Sequence, residues 1–146
     1  MTLGRAAGLV GVALLVLVAN VAGSILYMVV YSYVIDPGHE PKYYNDHIEV
    51  AAPYCSIVAG IPLMFLAGWW VAGWWKRMLG IKAALFVWLA YAVIDFAILL
   101  AVGITFTVGV LFAVSIATKF AAAYGGGWLR VRQAAEPSPA PDPAGR

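Results

Sequence analysis

The sequence predicts an all-α integral membrane protein built as a four-transmembrane-helix bundle. Of its 146 residues 64% are hydrophobic and only 11% are charged. Soluble domains average about 25% charged residues, and a chain this short cannot hide so much apolar surface in a core of its own. Four long apolar runs between residues 6 and 124 are suited to crossing a bilayer. The lipid bilayer is therefore an expected partner.

The first apolar run predicts a span over residues 6–33. It exceeds the roughly 20 residues that cross a ~30 Å hydrocarbon core, so the helix either tilts or projects beyond the lipid. A cleavable signal peptide is the alternative, because residues 21–24 resemble a cleavage site. We favour a retained span, since the apolar run continues to Ile35, where a cleaved leader would already be followed by polar sequence.

A polar segment, residues 36–53, separates the first span from the second. It opens with Asp-Pro-Gly, which is typical of a turn. Residues 40–52 predict a short helix within this outer loop, because Pro41 suits a first helical position. Pro53 would then mark the entry to the second span.

The second span is predicted over residues 54–75 and contains Pro62. Proline cannot donate the helical hydrogen bond, so the carbonyl of Val58 loses its partner. We therefore expect a helix kink at Pro62.

Residues 83–118 form a 36-residue stretch with one charge, Asp95. This length suits two helices joined by a tight turn, and Gly103 is the favoured hinge. The predicted spans are residues 81–102 and 105–124, with one tilted helix as the alternative. The glycine run at 125–127 should end span four. The membrane domain would then be residues 1–124 and the flexible cytoplasmic tail residues 125–146, whose end is rich in Pro and Ala.

Charge asymmetry predicts the orientation. The rule that Lys and Arg near span ends stay on the cytoplasmic side places both termini in the cytoplasm. The protein would then lie in the plasma membrane, the inner membrane of a bacterium, with the 36–53 loop outside. Eight of the nine basic residues fall on one predicted side and only Lys42 on the other; the eight are Arg5, Lys76, Arg77, Lys82, Lys119, Arg130, Arg132 and Arg146.

Polar residues inside the predicted spans form the first candidate site. A carboxylate in hydrocarbon costs about 2.5–3.5 kcal/mol on insertion scales and usually faces the bundle interior or a water-filled cavity. We expect Asn20, Ser24, Tyr91 and Asp95 to gather in the outer half of the membrane, with the free Val58 carbonyl near them. The cluster would hold the helices together. A transport or proton-relay role and contact with a partner subunit are the alternatives.

The outer loop forms the second candidate site. Imidazole and carboxylate groups together can bind a divalent metal, although the spacing here matches no established ligand pattern. The interpretations are a solvated acidic loop, a docking surface for another protein, or a metal site. The candidate residues are His39, Glu40, Asp46, His47 and Glu49.

No catalytic motif is present, and no basic patch suggests nucleic acid. We therefore expect neither an enzyme nor a nucleic-acid-binding protein, with no cofactor and no resident metal. The leading hypothesis is a non-enzymatic accessory or scaffold component that binds lipid, another membrane protein or a second copy of itself. The alternatives are a small oligomeric transporter or channel that uses Asp95 as its ionisable group, and a metal or ligand sensor built on the outer loop.

Overall fold

Four helices make up most of the chain in the computed structural model, which describes residues 3–75, 78–103 and 106–135. Each is long and apolar enough to cross a membrane. The predicted all-helical fold with four candidate spans is therefore confirmed. The helices are α1 (Leu3–Val30), α2 (Pro41–Ala72), α3 (Met78–Val102) and α4 (Phe106–Gln133), and a π-helical turn at Tyr31–Ile35 prolongs α1.

The helices alternate in direction. Along the α1–α2 pair, Gly23 faces Ala59, while Tyr27, one turn further along α1, contacts His47. The segment that joins α1 to α2 lies at the end we call the loop end, and Gly103 after α3 lies there too. Gly103 has a φ of 103°, a backbone conformation that glycine adopts without steric cost. The predicted hinge is thus the residue that follows α3.

The opposite end of the bundle, here called the basic end, gathers arginine and tryptophan. The Arg5 guanidinium lies 4.8 Å from the centre of the Trp75 ring, and the Arg130 guanidinium lies 4.7 Å from the centre of the Trp69 ring. These pairs join the first turn of α1 to the turn that follows α2, and the last turn of α4 to the C-terminal end of α2. Such cation–π contacts are favourable because the ring face carries partial negative charge.

The hydrophobic core lies in the half of the bundle nearer the basic end. It receives side chains from all four helices. Its buried members are Leu9, Val12, Ala13, Val16, Met64, Ala67, Val71, Ala83, Val87, Tyr91, Ala122 and Ala123.

The outer surface of the bundle is largely apolar. Lipid tails are as apolar as these side chains, so a membrane is the environment in which this surface costs least. Among the more exposed residues are Leu15, Val18, Ile25, Leu26, Val50, Val58, Leu66, Val93, Leu100 and Phe106.

Helices α2 and α4 run parallel and form the most extensive helix pair. Their backbones touch because glycine occupies the contact. A Cβ atom on Gly68 would lie 2.6 Å from the Ala123 carbonyl oxygen, and one on Gly126 would overlap the carbonyl oxygen of Phe65. Small residues allow such close approach where the hydrophobic effect cannot drive helices together. We call this contact the glycine seam.

The glycine run at 125–127 does not end α4, which continues to Gln133. Gly126 and Gly127 are buried against α2 and α3, so tertiary packing outweighs the low helix propensity of glycine. The fourth helix therefore ends at Gln133 and not before the glycine run, while the boundary of the membrane domain at residue 124 stays a prediction. The predicted flexible tail beyond residue 135 lies outside the described residues.

The short helix expected in the outer loop is not a separate element. Residues 41–52 are the first turns of α2, and Pro53 and Pro62 both lie inside this helix. Proline cannot donate the helical hydrogen bond, and a long helix packed against neighbours tolerates this loss. The predicted kink at Pro62 stays a prediction.

Candidate functional site

Lys119 is the residue whose position differs most from expectation. Its charge predicted a place on the cytoplasmic side of span four, but it lies near the middle of α4 with 0% of its surface exposed. The apolar sequence continues for nine residues beyond it, to Trp128, so it lies within the helix. Lys119 therefore does not support the predicted charge asymmetry.

Lys119 belongs to a hydrogen-bond network that joins all four helices. Its Nζ donates to Ser56 Oγ at 3.0 Å and to Tyr91 OH at 2.8 Å. The Asn20 amide nitrogen donates to the same two oxygens, at 2.9 and 3.2 Å. Each residue lies near the middle of its helix. We call these four residues the polar network; it fixes the relative heights of the helices.

The lysine side chain occupies space that a glycine of α2 leaves open. A Cβ atom on Gly60 would overlap the Lys119 side chain, so glycine at this position of α2 provides its space. The ammonium also lies 4.6 Å from the centre of the Tyr91 ring. Burial of an isolated ammonium is expensive, and these contacts replace part of its lost hydration.

Asp95 lies one helical turn beyond Tyr91, towards the loop end, and is half-buried. Its carboxylate is attracted by the Lys119 charge. Within the described residues it makes no hydrogen bond, and the single ion pair shorter than 4.0 Å joins His39 to Asp36. The Asp95 and Lys119 charges are thus near each other without touching.

The predicted intramembrane cluster is assembled in part. Asn20 and Tyr91 are hydrogen-bonded, and Asp95 lies close to them. Ser24 instead donates to the Asn20 carbonyl of its own helix at 3.4 Å. Val58 is 73% exposed and does not line the cavity beside this cluster. The cluster lies near the middle of the helices, and its place in the outer half of the membrane stays a prediction.

Sequence reasoning missed Ser56 and Lys119. Asp95 could have pointed to Lys119, because ionisable groups within a membrane usually pair with one another, so a carboxylate inside a span suggests a basic residue inside another. Lys119 is the basic residue with the longest apolar sequence on both sides. Ser56 carried no comparable signal, since serine is common in membrane helices.

A cavity of about 880 Å³ lies between α1, α2 and α3 in the loop-end half of the bundle. Asn20, Ser56 and Asp95 form its floor, and the polar groups of Tyr44 and His39 lie at its mouth. The walls between floor and mouth are mainly apolar: Leu17, Val21, Ile25, Met28, Val29, Ile48, Ala52 and Ile98. We call this cavity the groove.

Asp36 organises the loop end. Its carboxylate accepts hydrogen bonds from Tyr43 OH at 2.8 Å and Tyr31 OH at 3.4 Å, and His39 Nε2 lies 3.0 Å from its other oxygen. The hydrogen bond from Tyr43 first, and that from His39 next, hold the pKa of Asp36 below its usual value of 3.8. Tyr44 OH caps the same residue by donating to its carbonyl oxygen at 2.8 Å.

The two histidines of the outer loop lie in different contacts. His47 stacks on the Tyr31 ring with 4.0 Å between ring centres, and its Nε2 lies 3.0 Å from Tyr27 OH. His39 pairs with Asp36. In the described part of the chain, no three His, Cys, Asp or Glu residues lie close enough together to hold a metal ion. The other three loop candidates, Glu40, Asp46 and Glu49, form no ion pair with either histidine.

Comparison with known proteins gives no match: no family model, curated protein or solved structure is significantly similar to this chain. Functional arguments therefore rest on the groove and the polar network. Together they offer a mainly apolar slot with a carboxylate and hydrogen-bonding groups at its floor and further polar side chains towards its mouth. Such a slot suits non-covalent binding of an amphiphilic molecule.

Proposed function

We propose that this chain is a non-enzymatic membrane protein that binds an amphiphilic, lipid-like molecule in the groove. The observation that carries the proposal is the continuity of the groove from the loop end to Asn20, Ser56 and Asp95. The apolar walls would hold a hydrocarbon portion, and the floor would hold a polar head. Binding pockets are characteristically apolar cavities of about 300–1,000 Å³ with a few convergent polar groups.

A blocked groove tests this proposal. Ala52 lies on the α2 wall of the groove, and Ala52→Trp would fill the space beside it. Val58→Trp is the matched control, since Val58 lies on the same helix but is 73% exposed and does not line the groove. We expect wild type and Val58→Trp to release a near-stoichiometric amphiphile when protein purified in mild detergent is denatured and analysed by mass spectrometry. Ala52→Trp should release less than a fifth as much.

Equal release from all three proteins, or none from wild type, would contradict groove binding. A stoichiometric partner protein that is lost only from Ala52→Trp would favour the scaffold role instead, with a helix of that protein in the groove.

A second candidate function is transport, supported by the separated charges. Asp95 faces the groove while Lys119 lies behind it, so a proton or cation that reaches Asp95 would alter the attraction between them. We expect proton uptake by proteoliposomes under a valinomycin-imposed potential to exceed that of protein-free liposomes, and Asp95→Asn to reduce it to the protein-free rate. Uptake by Asp95→Asn equal to that of wild type would exclude this role for the carboxylate.

We further propose that both termini lie in the cytoplasm and that the membrane is the plasma membrane, the inner membrane of a bacterium. Arg5, Lys82 and Arg130, which belong to the basic end, support this orientation, since Lys and Arg are retained on the cytoplasmic side. In a Cys55→Ser background, Lys42→Cys should react with an impermeant maleimide on intact cells, and Ala135→Cys should react only after lysis. The reverse pattern would overturn the orientation.

A further inference from the structure

We infer that the polar head of the groove's ligand is an ammonium group, so the ligand is an amphiphilic amine. This inference rests on the proposed function and goes further by naming the chemical class. Three observations support it. Hydrogen-bond acceptors line the groove floor, the Lys119 ammonium does not line it, and the mouth carries negative charge.

The floor offers hydrogen-bond acceptors. Asn20 is only 5% exposed, and its Oδ1 atom is buried without a hydrogen-bond partner, because the amide nitrogen supplies both bonds to the polar network. The Asp95 carboxylate makes no hydrogen bond within the described residues. Both residues line the groove. A buried acceptor without a partner costs about 1–3 kcal/mol, and a ligand that donates hydrogen bonds removes this cost.

The positive charge near the floor, that of Lys119, is not exposed in the groove. The Lys119 ammonium points to Ser56 and Tyr91, is fully buried and does not line the groove. A head group that enters the groove therefore meets the Asp95 carboxylate before the ammonium. An anionic head would be repelled there, whereas an alcohol would satisfy an acceptor without using the charge. A primary ammonium supplies both donors and charge, and charge-assisted hydrogen bonds are about twice as strong as neutral ones.

The mouth favours the same class. The loop and first turns of α2, residues 36–53, contain four acidic residues against one lysine. Such a negative field raises the local concentration of cations. The rings of Tyr33 and Tyr44 line the outer part of the groove, where aromatic faces attract an ammonium that passes them.

A ligand series on the wild-type protein tests the inference independently of any variant. Dodecylamine, dodecanol and dodecanoate share one chain length and differ in the head group. Their dissociation constants would be measured by calorimetry on protein in zwitterionic nanodiscs, with protein-free nanodiscs subtracted. We expect dodecylamine to bind at least tenfold more tightly than dodecanol and dodecanoate to bind most weakly. Dodecyltrimethylammonium, which has the charge without donors, should fall between the amine and the alcohol.

Equal binding of the amine and the alcohol would overturn the ammonium assignment and leave the groove proposal standing. Saturable binding of none of the four would contradict the proposed function itself. Tightest binding of dodecanoate would assign the head group to an anion and would also overturn the inference.

Removing Asp95 and removing Lys119 should change the preference for amine over alcohol in opposite directions. The preference is measured as the dissociation constant of dodecanol divided by that of dodecylamine. Asp95→Asn should lower this ratio about tenfold, because it removes the charge that the head group meets first. Lys119→Gln should raise it, because the opposing charge disappears. Asp46→Asn makes the same chemical change on an exposed residue of α2 and should alter the ratio less than threefold. A ratio unaffected by Asp95→Asn, in protein that retains the wild-type helical content, would overturn the assignment.

Discussion

At the scale of residues, Lys119 is the charge around which the bundle is organised. Each of its contacts belongs to another helix: Ser56 and Gly60 on α2, Tyr91 on α3. Asn20 of α1 bonds to the same two hydroxyl groups. Because a membrane offers no water to replace these contacts, a shift of any one helix along its axis would leave a buried polar group without a partner.

The charges of Lys119 and Asp95 should be energetically coupled. Lys119→Met removes the positive charge near the Asp95 carboxylate, and Asp95→Asn removes the negative charge near the Lys119 ammonium. We expect each to lower the free energy of unfolding in detergent micelles by about 1–3 kcal/mol. The double variant should lose less than the sum of the two, as a double-mutant cycle would show. Strict additivity would contradict the coupling.

Asp36 should make the loop end sensitive to acid. Because its folded pKa lies below the ordinary value of 3.8, its hydrogen bonds stabilise the fold above that pH. The stability is lost as the pH falls through the lower, folded pKa. Hydrogen exchange of residues 31–44 should therefore be slower in wild type than in Asp36→Asn at neutral pH. The two rates should converge in strong acid, and a difference that persists unchanged there would contradict this origin.

At the scale of elements, the glycine seam brings the backbones of α2 and α4 into contact. Neighbouring glycines of α4 provide a sharp test. A Cβ on Gly126 would overlap the Phe65 carbonyl oxygen, whereas one on Gly125 would lie 3.8 Å from the Phe65 ring, an ordinary contact. Gly126→Ala should lose about 1–3 kcal/mol of stability through overpacking. Gly125→Ala should be neutral or gain up to about 1 kcal/mol from helix propensity.

Thermal unfolding of both variants in the same detergent measures the difference. If Gly125→Ala and Gly126→Ala were destabilised equally, the close approach of the two backbones would not be the cause. The adjacent positions differ only in the side of α4 that they occupy, so other effects of adding a methyl group cancel.

The elements also show how far the sequence predicts this protein. The length of the apolar runs predicts the four spans, because a helix that crosses the bilayer must be apolar both where it faces lipid and where it faces the other helices. Charge reasoning fails at Lys119, which was counted on the cytoplasmic side although it is buried inside α4 and Asp95 on α3 supplies a nearby counter-charge. Sequence reasoning fails again at Gly126, where local helix propensity predicts an end and packing against Phe65 decides otherwise. Both errors concern contacts between helices, which sequence spacing alone does not define.

At the scale of the whole molecule, the bundle is divided into two halves. The hydrophobic core holds the helices together towards the basic end, from Leu9 to Val16 on α1 and from Met64 to Val71 on α2. Towards the loop end the same two helices are separated by the groove. The polar network lies at the boundary, so packing supports one half and leaves the other free to receive a ligand.

The groove is also open at its side. Val21, Ile25 and Val29 line it and are at the same time 52%, 60% and 47% exposed on the surface of α1. A long-chain molecule would therefore enter by diffusing within the leaflet, without first leaving the bilayer. Occupancy should follow the mole fraction of the amphiphile in the lipid. Equilibrium occupancy does not depend on the route, so the exchange rate between bilayer and groove, measured by NMR, is the test. At equal mole fraction in the lipid, hexadecylamine has a far lower aqueous concentration than dodecylamine, and we expect the two amines to associate at similar rates. An association rate that falls in proportion to the aqueous concentration would contradict entry from the membrane.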